Sequence, residues 1–305
     1  MNRQNAFTLL ATFALLFCFT FSCNAKGKDK AKHVVFIGLD GWGAYSLPKA
    51  DMPNVKKLME DGAYTLKKRS ALPSSSAINW ASMFMGAGPE LHGYTEWGSK
   101  TPELPSRVLN KNGIFPTVFQ LLRDARPEAE IGCLYEWEGI KYLVDTLSLN
   151  YHYHVADCNK TPKELGNMAS AYIKEKHPAL VAICYDGPDH TGHTEGHDTP
   201  AYYEKLKELD IYVGQIVQAV KDAGILDDTI FILTSDHGGI DKGHGGKTMQ
   251  EMETAFIISG KNIKKGLRFD DVSMMQYDVA STIASIFNLE QPQVWIGRPM
   301  KIVFK

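Results

Sequence analysis

Four short runs in this chain lack the polar alternation of a half-exposed strand: residues 34–39 (VVFIGL), 180–184 (LVAIC), 230–234 (IFILT) and 255–258 (AFII). Strands of this kind are buried on both faces, as in a parallel sheet held between two layers of helices. Between them lie amphipathic helical patterns. Val55, Leu58 and Met59 mark one, and Leu206, Leu209, Val213, Ile216, Val217 and Val220 mark a longer one that ends near Gly224. Val279, Ile283, Ile286 and Phe287 mark a third. Apolar residues three and four apart make one buried stripe on each. The alternation predicts an α/β fold, a three-layer α/β/α sandwich with a mostly parallel central sheet, whose ligands gather beyond the carboxyl ends of the strands.

No repeat, low-complexity stretch or Pro/Ser linker interrupts residues 33–305, which read as a single domain. Ahead of it, residues 6–22 are 17 uncharged, mostly apolar residues behind Arg3, followed by KGKDKAK at 26–32. That span is shorter than the roughly 20 residues a bilayer-crossing helix needs. It reads as an export signal within residues 1–25, with 26–32 as a solvated tether. Two cleavage sites are legible: Cys23-Asn24-Ala25 before Lys26 suits ordinary signal peptidase, and Ser22-Cys23 resembles a bacterial lipobox without its Leu. Lipidation of Cys23 would attach the chain to a membrane, at the periplasmic or outer surface.

With 33 Lys and Arg against 35 Asp and Glu, the formal charge is -2. That excludes a polybasic binder of nucleic-acid polymers. Beyond residue 25 the cysteines are Cys133, Cys158 and Cys184, with no CxxC pair. The count leaves open one disulfide with a free thiol or three thiols, and argues against a thiolate metal site.

Three of the apolar runs lead directly into carboxylates and imidazoles. The first reaches Asp40-Gly41, the second Asp186-Gly187-Pro188-Asp189-His190 with Gly192-His193, and the third Asp236-His237-Gly238-Gly239. Gly243-His244-Gly245-Gly246 follows shortly after. Each cluster alone is ordinary turn chemistry. Brought to one sheet edge, however, these groups would repel or go unsatisfied without a cation. Asp and His donors suit zinc and tolerate manganese or iron, and the lack of cysteine ligands points to an open, catalytic site.

Pro73-Ser74-Ser75-Ser76-Ala77-Ile78-Asn79 supplies a nucleophile candidate. A helix over residues 77–85 would place Ser76 at its N-cap, where serine commonly only satisfies backbone donors. The same helix terminus also suits an anionic phosphoryl group.

The ordered set runs from Asp40-Gly41 through Met52-Pro53-Asn54-Val55, Pro73 to Asn79, Gly86 and His92-Gly93. It continues through Pro188-Asp189, Gly192-His193 and Ser235-Asp236-His237-Gly238 to Gly243-His244-Gly245. In this set the chain resembles the alkaline phosphatase superfamily, most of all its type I phosphodiesterase and nucleotide pyrophosphatase branch, over nearly all of residues 33–300. The resemblance implies one divalent metal held by Asp189, His193 and His244. It implies a second held by Asp40, Asp236 and His237, with Ser76 bridging toward it. Zinc is the expected ion, with manganese as the alternative. It further implies an exported phosphoesterase that hydrolyses phosphodiester or pyrophosphate bonds of small, nucleotide-type substrates through a phosphoseryl intermediate.

Two departures from the branch stand out. The branch generally uses Thr followed by Phe-Pro-Asn, where this chain has Ser76-Ala77-Ile78-Asn79. After His92-Gly93, relatives place an Asn that bonds a phosphoryl oxygen, whereas this chain reads Tyr94-Thr95-Glu96-Trp97-Gly98. The Trp97 indole donates one bond only. Asn79, Trp97 and Arg107 are the candidate substrate contacts, with Lys100 and the Ala77 amide as further donors. The second departure keeps a phosphomonoesterase with the same site as the alternative. A non-catalytic metal- or phosphate-binding lipoprotein is the other, although it would have no need of Ser76. The sulfatase pattern x-Pro-x-Arg does not follow Ser76. His190 and His197 flank the Asp189/His193 pair and read as polar surface residues or as donors to those ligands, with substrate contact as the alternative; His152 and His154 read as an exposed strand face, with a metal pair as the alternative. Substrate selectivity is expected from residues 87–115 and 138–165.

Overall fold

The computed structural model describes residues 29–156 and 162–305. Eight strands form one sheet in the order β4-β3-β5-β1-β6-β7-β2-β8. They are β1 (His33–Leu39), β2 (Gly62–Arg69), β3 (Ile131–Tyr135), β4 (Tyr151–His154), β5 (Leu180–Tyr185), β6 (Thr229–Thr234), β7 (Glu253–Gly260) and β8 (Leu267–Arg268). β7 pairs antiparallel with β6 and β2, and every other pairing is parallel. The 255–258 run is thus buried as its composition requires, but reversed in direction. Loss of polar alternation reports coverage of both faces and carries no information on strand direction.

Nine helices flank the sheet among the described residues: α1 (Pro53–Glu60), α2 (Ser76–Met85), α3 (Pro89–His92), α4 (Val118–Ala125), α5 (Pro162–Lys176), α6 (Gly187–Glu195), α7 (Pro200–Asp222), α8 (Met249–Met252) and α9 (Asp278–Ile286). β1 shows how the layers arise. Its Val34 and Phe36 join Trp80, Phe84, Phe119, Leu122 and Ile283 of α2, α4 and α9 in one core. Its Val35, Ile37 and Leu39 join Val55, Leu165, Leu209 and Val213 of α1, α5 and α7 in the other. Each large apolar side chain fully buried this way stabilises the fold by about 1.5–3 kcal/mol. The result is the three-layer sandwich that the pattern predicts.

The described part of the expected tether is docked instead of solvated. Lys30 and Lys32 donate their amides to Ile286 and Asp228 at 2.9 Å, and Asp29 pairs with Arg126 at 2.8 Å. Ala31 is buried, which supplies the apolar contact that the charged composition hides. The apolar segment 6–22, Cys23 and Cys158 lie outside the described residues. Among the described residues, no helix is long and apolar enough to cross a membrane. Cys133 and Cys184 are buried free thiols on β3 and β5. On β4, the edge strand, His154 bonds the Glu136 carbonyl at 2.8 Å and His152 meets the Tyr135 hydroxyl at 3.4 Å. Neither belongs to a group able to hold a metal among the described residues.

Parallel pairing with β5 and β6 sets Gly38 of β1 level with Cys184 and Thr234. That register brings the polar residues after all three strands to one edge of the sheet.

Candidate metal centre

Asp40, directly after β1, is 2% exposed. Its Oδ2 accepts the Trp80 indole N–H at 2.8 Å, while Oδ1 is buried without a hydrogen-bond partner. Gly38 makes this possible, because a Cβ there would sit 2.2 Å from the Trp80 ring. Asp236, after β6, has its Oδ1 held by the Gly41 amide at 3.1 Å and its Oδ2 buried and unpartnered. Asp189, in the first turn of α6, has Oδ2 at 3.1 Å from His193 Nε2 and Oδ1 buried and unpartnered. Asp40 and Asp236 therefore keep one oxygen anchored by an N–H and one buried without a donor, whereas the second oxygen of Asp189 meets another candidate ligand.

The imidazoles are arranged the complementary way. His237 Nδ1 lies 2.8 Å from the Gly238 carbonyl, His193 Nδ1 2.9 Å from that of Lys242, and His244 Nδ1 3.1 Å from that of Ser74. A carbonyl only accepts, so each Nδ1 carries the proton, and a neutral ring then turns the lone pair of Nε2 inward. His237 Nε2 faces Ser76 Oγ at 3.1 Å, Asp236 Oδ2 at 3.2 Å and Asp40 Oδ1 at 3.4 Å. Burial pushes the His237 imidazole down to about 3, so it stays neutral. Lone pairs on nitrogen and carboxylate oxygens that converge without a hydrogen between them repel, unless a cation lies among them.

Without metal, protons carry that burden. Burial, then the charges of neighbouring carboxylates, raises Asp40 and Asp236 above the usual carboxylate range. The bond to Asp189 lifts His193 to about 9. Burial alone would raise Asp189, but the His193 bond and the neighbouring imidazoles outweigh it and hold that carboxyl low.

Ligand atoms of Asp189, His193 and His244 lie within 4.8 Å of one another, and so do those of Asp40, Asp189 and His237. The orphaned oxygens, the inward lone pairs and the oxygen–nitrogen donor set fit divalent cations. The second grouping contains Asp189 where Asp236 is expected. Asp236 enters through its contact with His237, and Asp189 stands between the two halves.

Ser76 occupies the first turn of α2, one residue inside the N-cap, which is Ser75. The one-residue offset matters: Ser75 takes the extended cap conformation, and Ser76 is free to turn its hydroxyl to His237. Ser74 secures the adjacent loop, donating its hydroxyl to the Gly246 carbonyl at 2.7 Å.

The candidate substrate contacts fare differently. Asn79 is fully buried; its Oδ1 accepts from the Ala71 amide and its Nδ2 is shared among the carbonyls of Ala71, Pro73 and Ser75. It braces the serine loop and has no donor left for a substrate. The Ala77 amide is likewise taken, by the Trp97 carbonyl at 3.1 Å. That bond ties Trp97 to the first turn of α2 and leaves its side chain 67% exposed. The Arg107 side chain is exposed, with its amide bonded to the Leu91 carbonyl.

Four supporting residues escape sequence reasoning. Trp80 anchors Asp40. Lys68 of β2 is fully buried and donates to the Ser235 carbonyl at 2.8 Å and to Gln276, which in turn bonds the Asp236 carbonyl. Burial depresses the Lys68 ammonium well below its usual range. Glu136, after β3, accepts the Asp186 amide at 2.8 Å and so caps α6 from the neighbouring strand. Strand-end position is the one signal that pointed to Glu136.

A model of the type I phosphodiesterase/nucleotide pyrophosphatase family matches residues 34–272. The mouse bis(5'-adenosyl)-triphosphatase enpp4 is 26% identical over 221 residues, covering 69% of this chain and 48% of that protein. The chain spans about half the length of such curated relatives. Among solved structures, murine ectonucleotide pyrophosphatase/phosphodiesterase 5 superimposes with a TM-score of 0.70 at 13% identity, covering 90% of this chain and all of that one. BT1596, a 2-O GAG sulfatase, gives a TM-score of 0.70 at 14% identity over 88% of this chain and 73% of that one. These two likenesses establish the sandwich fold alone. The family match spans well over half of the sequence and runs through both clusters of carboxylates and imidazoles, and the chain belongs to the type I phosphodiesterase/nucleotide pyrophosphatase family.

Proposed function

We propose that the protein is an exported, metal-dependent phosphoric ester hydrolase acting on phosphodiester or pyrophosphate bonds of small, nucleotide-type substrates, with Ser76 as nucleophile. The observation that carries this reading is the convergence of Ser76 Oγ and two orphaned carboxylate oxygens on His237 Nε2. A purely structural serine at a helix start has no use for that environment. An inactive form of murine ectonucleotide pyrophosphatase/phosphodiesterase 5, similar in fold to this chain, has been solved in complex with AMP, which supports a nucleotide-type substrate.

Asp189, His193 and His244 would hold one divalent cation, and Asp40, Asp236, His237 and Ser76 a second, zinc by donor type with manganese as the alternative. When bound, such cations supply positive charge that acidifies a hydroxyl and stabilises a departing oxygen. The chain does the rest. The first turn of α2 aims Ser76 Oγ out of the sheet edge and favours an anionic phosphoryl group beside it. Ser76 Oγ forms the bond to phosphorus as the bond from phosphorus to the ester oxygen on the opposite side breaks, and the serine proton ends on the departing alcohol. Water then adds to phosphorus, the bond from phosphorus to Ser76 Oγ breaks, and one water proton restores the serine hydroxyl. The bond from His237 Nδ1–H to the Gly238 carbonyl holds the ring with Nε2 toward Ser76.

Turnover of p-nitrophenyl phosphate against bis-p-nitrophenyl phosphate and a thymidine p-nitrophenyl diester by zinc-loaded protein tests the reading. Ser76→Ala should abolish diester hydrolysis, a loss on the order of 10⁴-fold or more, and chelation should do the same. Preference for the monoester would make the enzyme a phosphomonoesterase. Stoichiometric metal binding without turnover of any of these esters would favour a metal- or phosphate-binding protein.

A further inference from the structure

His197 lies outside both candidate ligand groups, yet it is the most unusual side chain near them. Its side chain is wholly buried, and neither ring nitrogen has a hydrogen-bond partner. A neutral imidazole carries one N–H and one lone pair, and leaving a buried donor without a partner destabilises the fold.

The ring's place is built for it from both sides. A Cβ on Gly192 would stand 2.2 Å from His197 Nε2, and one on Gly239 2.3 Å from Nε2 and Cε1. Gly192 immediately precedes His193, and Gly239 follows His237 by two. The same edge of the ring is therefore wedged between the segments that carry both halves of the metal centre. Tyr202 closes it from outside at 5.4 Å between ring centroids, while its hydroxyl donates to the Gly41 carbonyl at 2.8 Å. The His197 amide, bonded to the Asp241 carbonyl, fixes the backbone.

One orphan faces another across this wedge: His197 Nε2 lies 3.8 Å from Asp189 Oδ1, itself buried and unpartnered. We infer that His197, given the reading of Asp189 as a metal ligand on which this rests, is a positioning residue whose Nε2–H donates to Asp189 Oδ1 when metal is bound. A carboxylate oxygen has two lone pairs, so the bond leaves Asp189 able to ligate while stopping its rotation about the Cβ–Cγ bond. A role as a further metal ligand is less well served, because His197 does not join the Asp189, His193 and His244 group whose donor atoms lie within 4.8 Å of one another. Its ring centroid is 6.4 Å from that of His193.

Full-chain protein carrying His197→Leu, His197→Asn or His197→Gln separates these roles. Gln places an amide N–H near the position of Nε2, Asn is too short to reach Asp189, and Leu fills space without a donor. Zinc affinity by chelator competition and the visible absorption of the cobalt(II)-loaded protein are the readouts, with melting of the metal-free variants as the fold control. The expected result is a loss of about 10–100-fold in zinc affinity for Leu and Asn. Gln should stay within about threefold of the parent, with an unchanged cobalt spectrum. Parent-like affinity in the Leu or Asn variant would overturn the inference in favour of packing. A shifted cobalt spectrum in the Gln variant would overturn it in favour of a ligand, and a parent chain that binds neither ion would overturn it outright. None of these readouts uses turnover. A chain that shows the expected pattern but hydrolyses no ester refutes the phosphoesterase reading and leaves the role of His197 standing.

Discussion

The two halves of the centre are built on different foundations. Asp40, Asp236 and His237 follow adjacent central strands and are no more than 2% exposed. Each is held by a partner from another element or its own turn: Trp80, the Gly41 amide, the Gly238 carbonyl. Asp189, His193 and His244 sit on a polar helix and a loop; the His193 side chain is 46% exposed, and His193 and His244 lean on loop carbonyls. The inner half is preorganised by the sheet, whereas the outer half depends on the docking of α6 and residues 240–246. The difference teaches which half of the candidate centre the sheet preorganises: the one beside Ser76.

The largest effect that would sharpen this contrast comes from the inner half. Asp236→Asn should lower kcat/KM on the order of 10³-fold or more, about 4 kcal/mol of transition-state stabilisation, and excess zinc should not restore it. His193→Ala should lose less, about 10–100-fold, and added zinc should recover most of it, because the exposed position admits a water in place of the ring. Equal losses with equal rescue would break the comparison.

Next is the anchor of Asp40. Trp80→Phe keeps the ring packed against Phe36 and Phe84 but removes the indole donor. Metal affinity of the inner half should fall by about 10-fold, with no comparable change in the outer half. Cobalt titration resolves the two sites.

The smallest effect lies at the cap of α6. Burial raises the Glu136 carboxyl to about 8, above the roughly 4.3 of an unfolded chain. The folded protein thus binds this proton more tightly. Its contribution to stability is fully present below about pH 4 and is lost as the pH rises toward 8. Glu136→Gln keeps an acceptor for the Asp186 amide and removes that loss. The melting temperature of the metal-free variant should pull ahead of the parent progressively between about pH 4 and 8; a constant gap would show that Glu136 does not titrate in that window.

Much of this centre was legible in the chain because strand ends are legible. Asp40 and Asp236 stand out as charges within two residues of an uninterrupted apolar run, Asp189 follows another such run by five residues, and His193 and His237 lie close by in sequence. Trp80 was not legible as a carboxylate anchor, since a tryptophan within an apolar helix reads as core, and it is core as well. Lys68 lies in GAYTLKKR, where a lysine reads as solvent-facing, yet β2 carries it beneath the Asp236 turn. Asn79 misled for the opposite reason. A polar residue three positions after the candidate nucleophile suggests a substrate contact, but the serine loop folds back on it and consumes every donor.

The sequence by itself determined the layered α/β architecture, the strand ends that carry the carboxylates and imidazoles, and the serine that the structure brings beside them. These follow from local rules: periodicity of apolar residues, and residue type directly after a buried strand. The tertiary structure alone decided that β7 runs backwards, that Asp189 stands between two ligand groups, that Trp80, Lys68 and Glu136 hold the frame, and that His197 is wedged between two glycines. Those facts depend on contacts between residues separated by tens to hundreds of positions. No local periodicity encodes them, because hydrogen-bond geometry is set by where the backbone brings two groups and not by which groups they are.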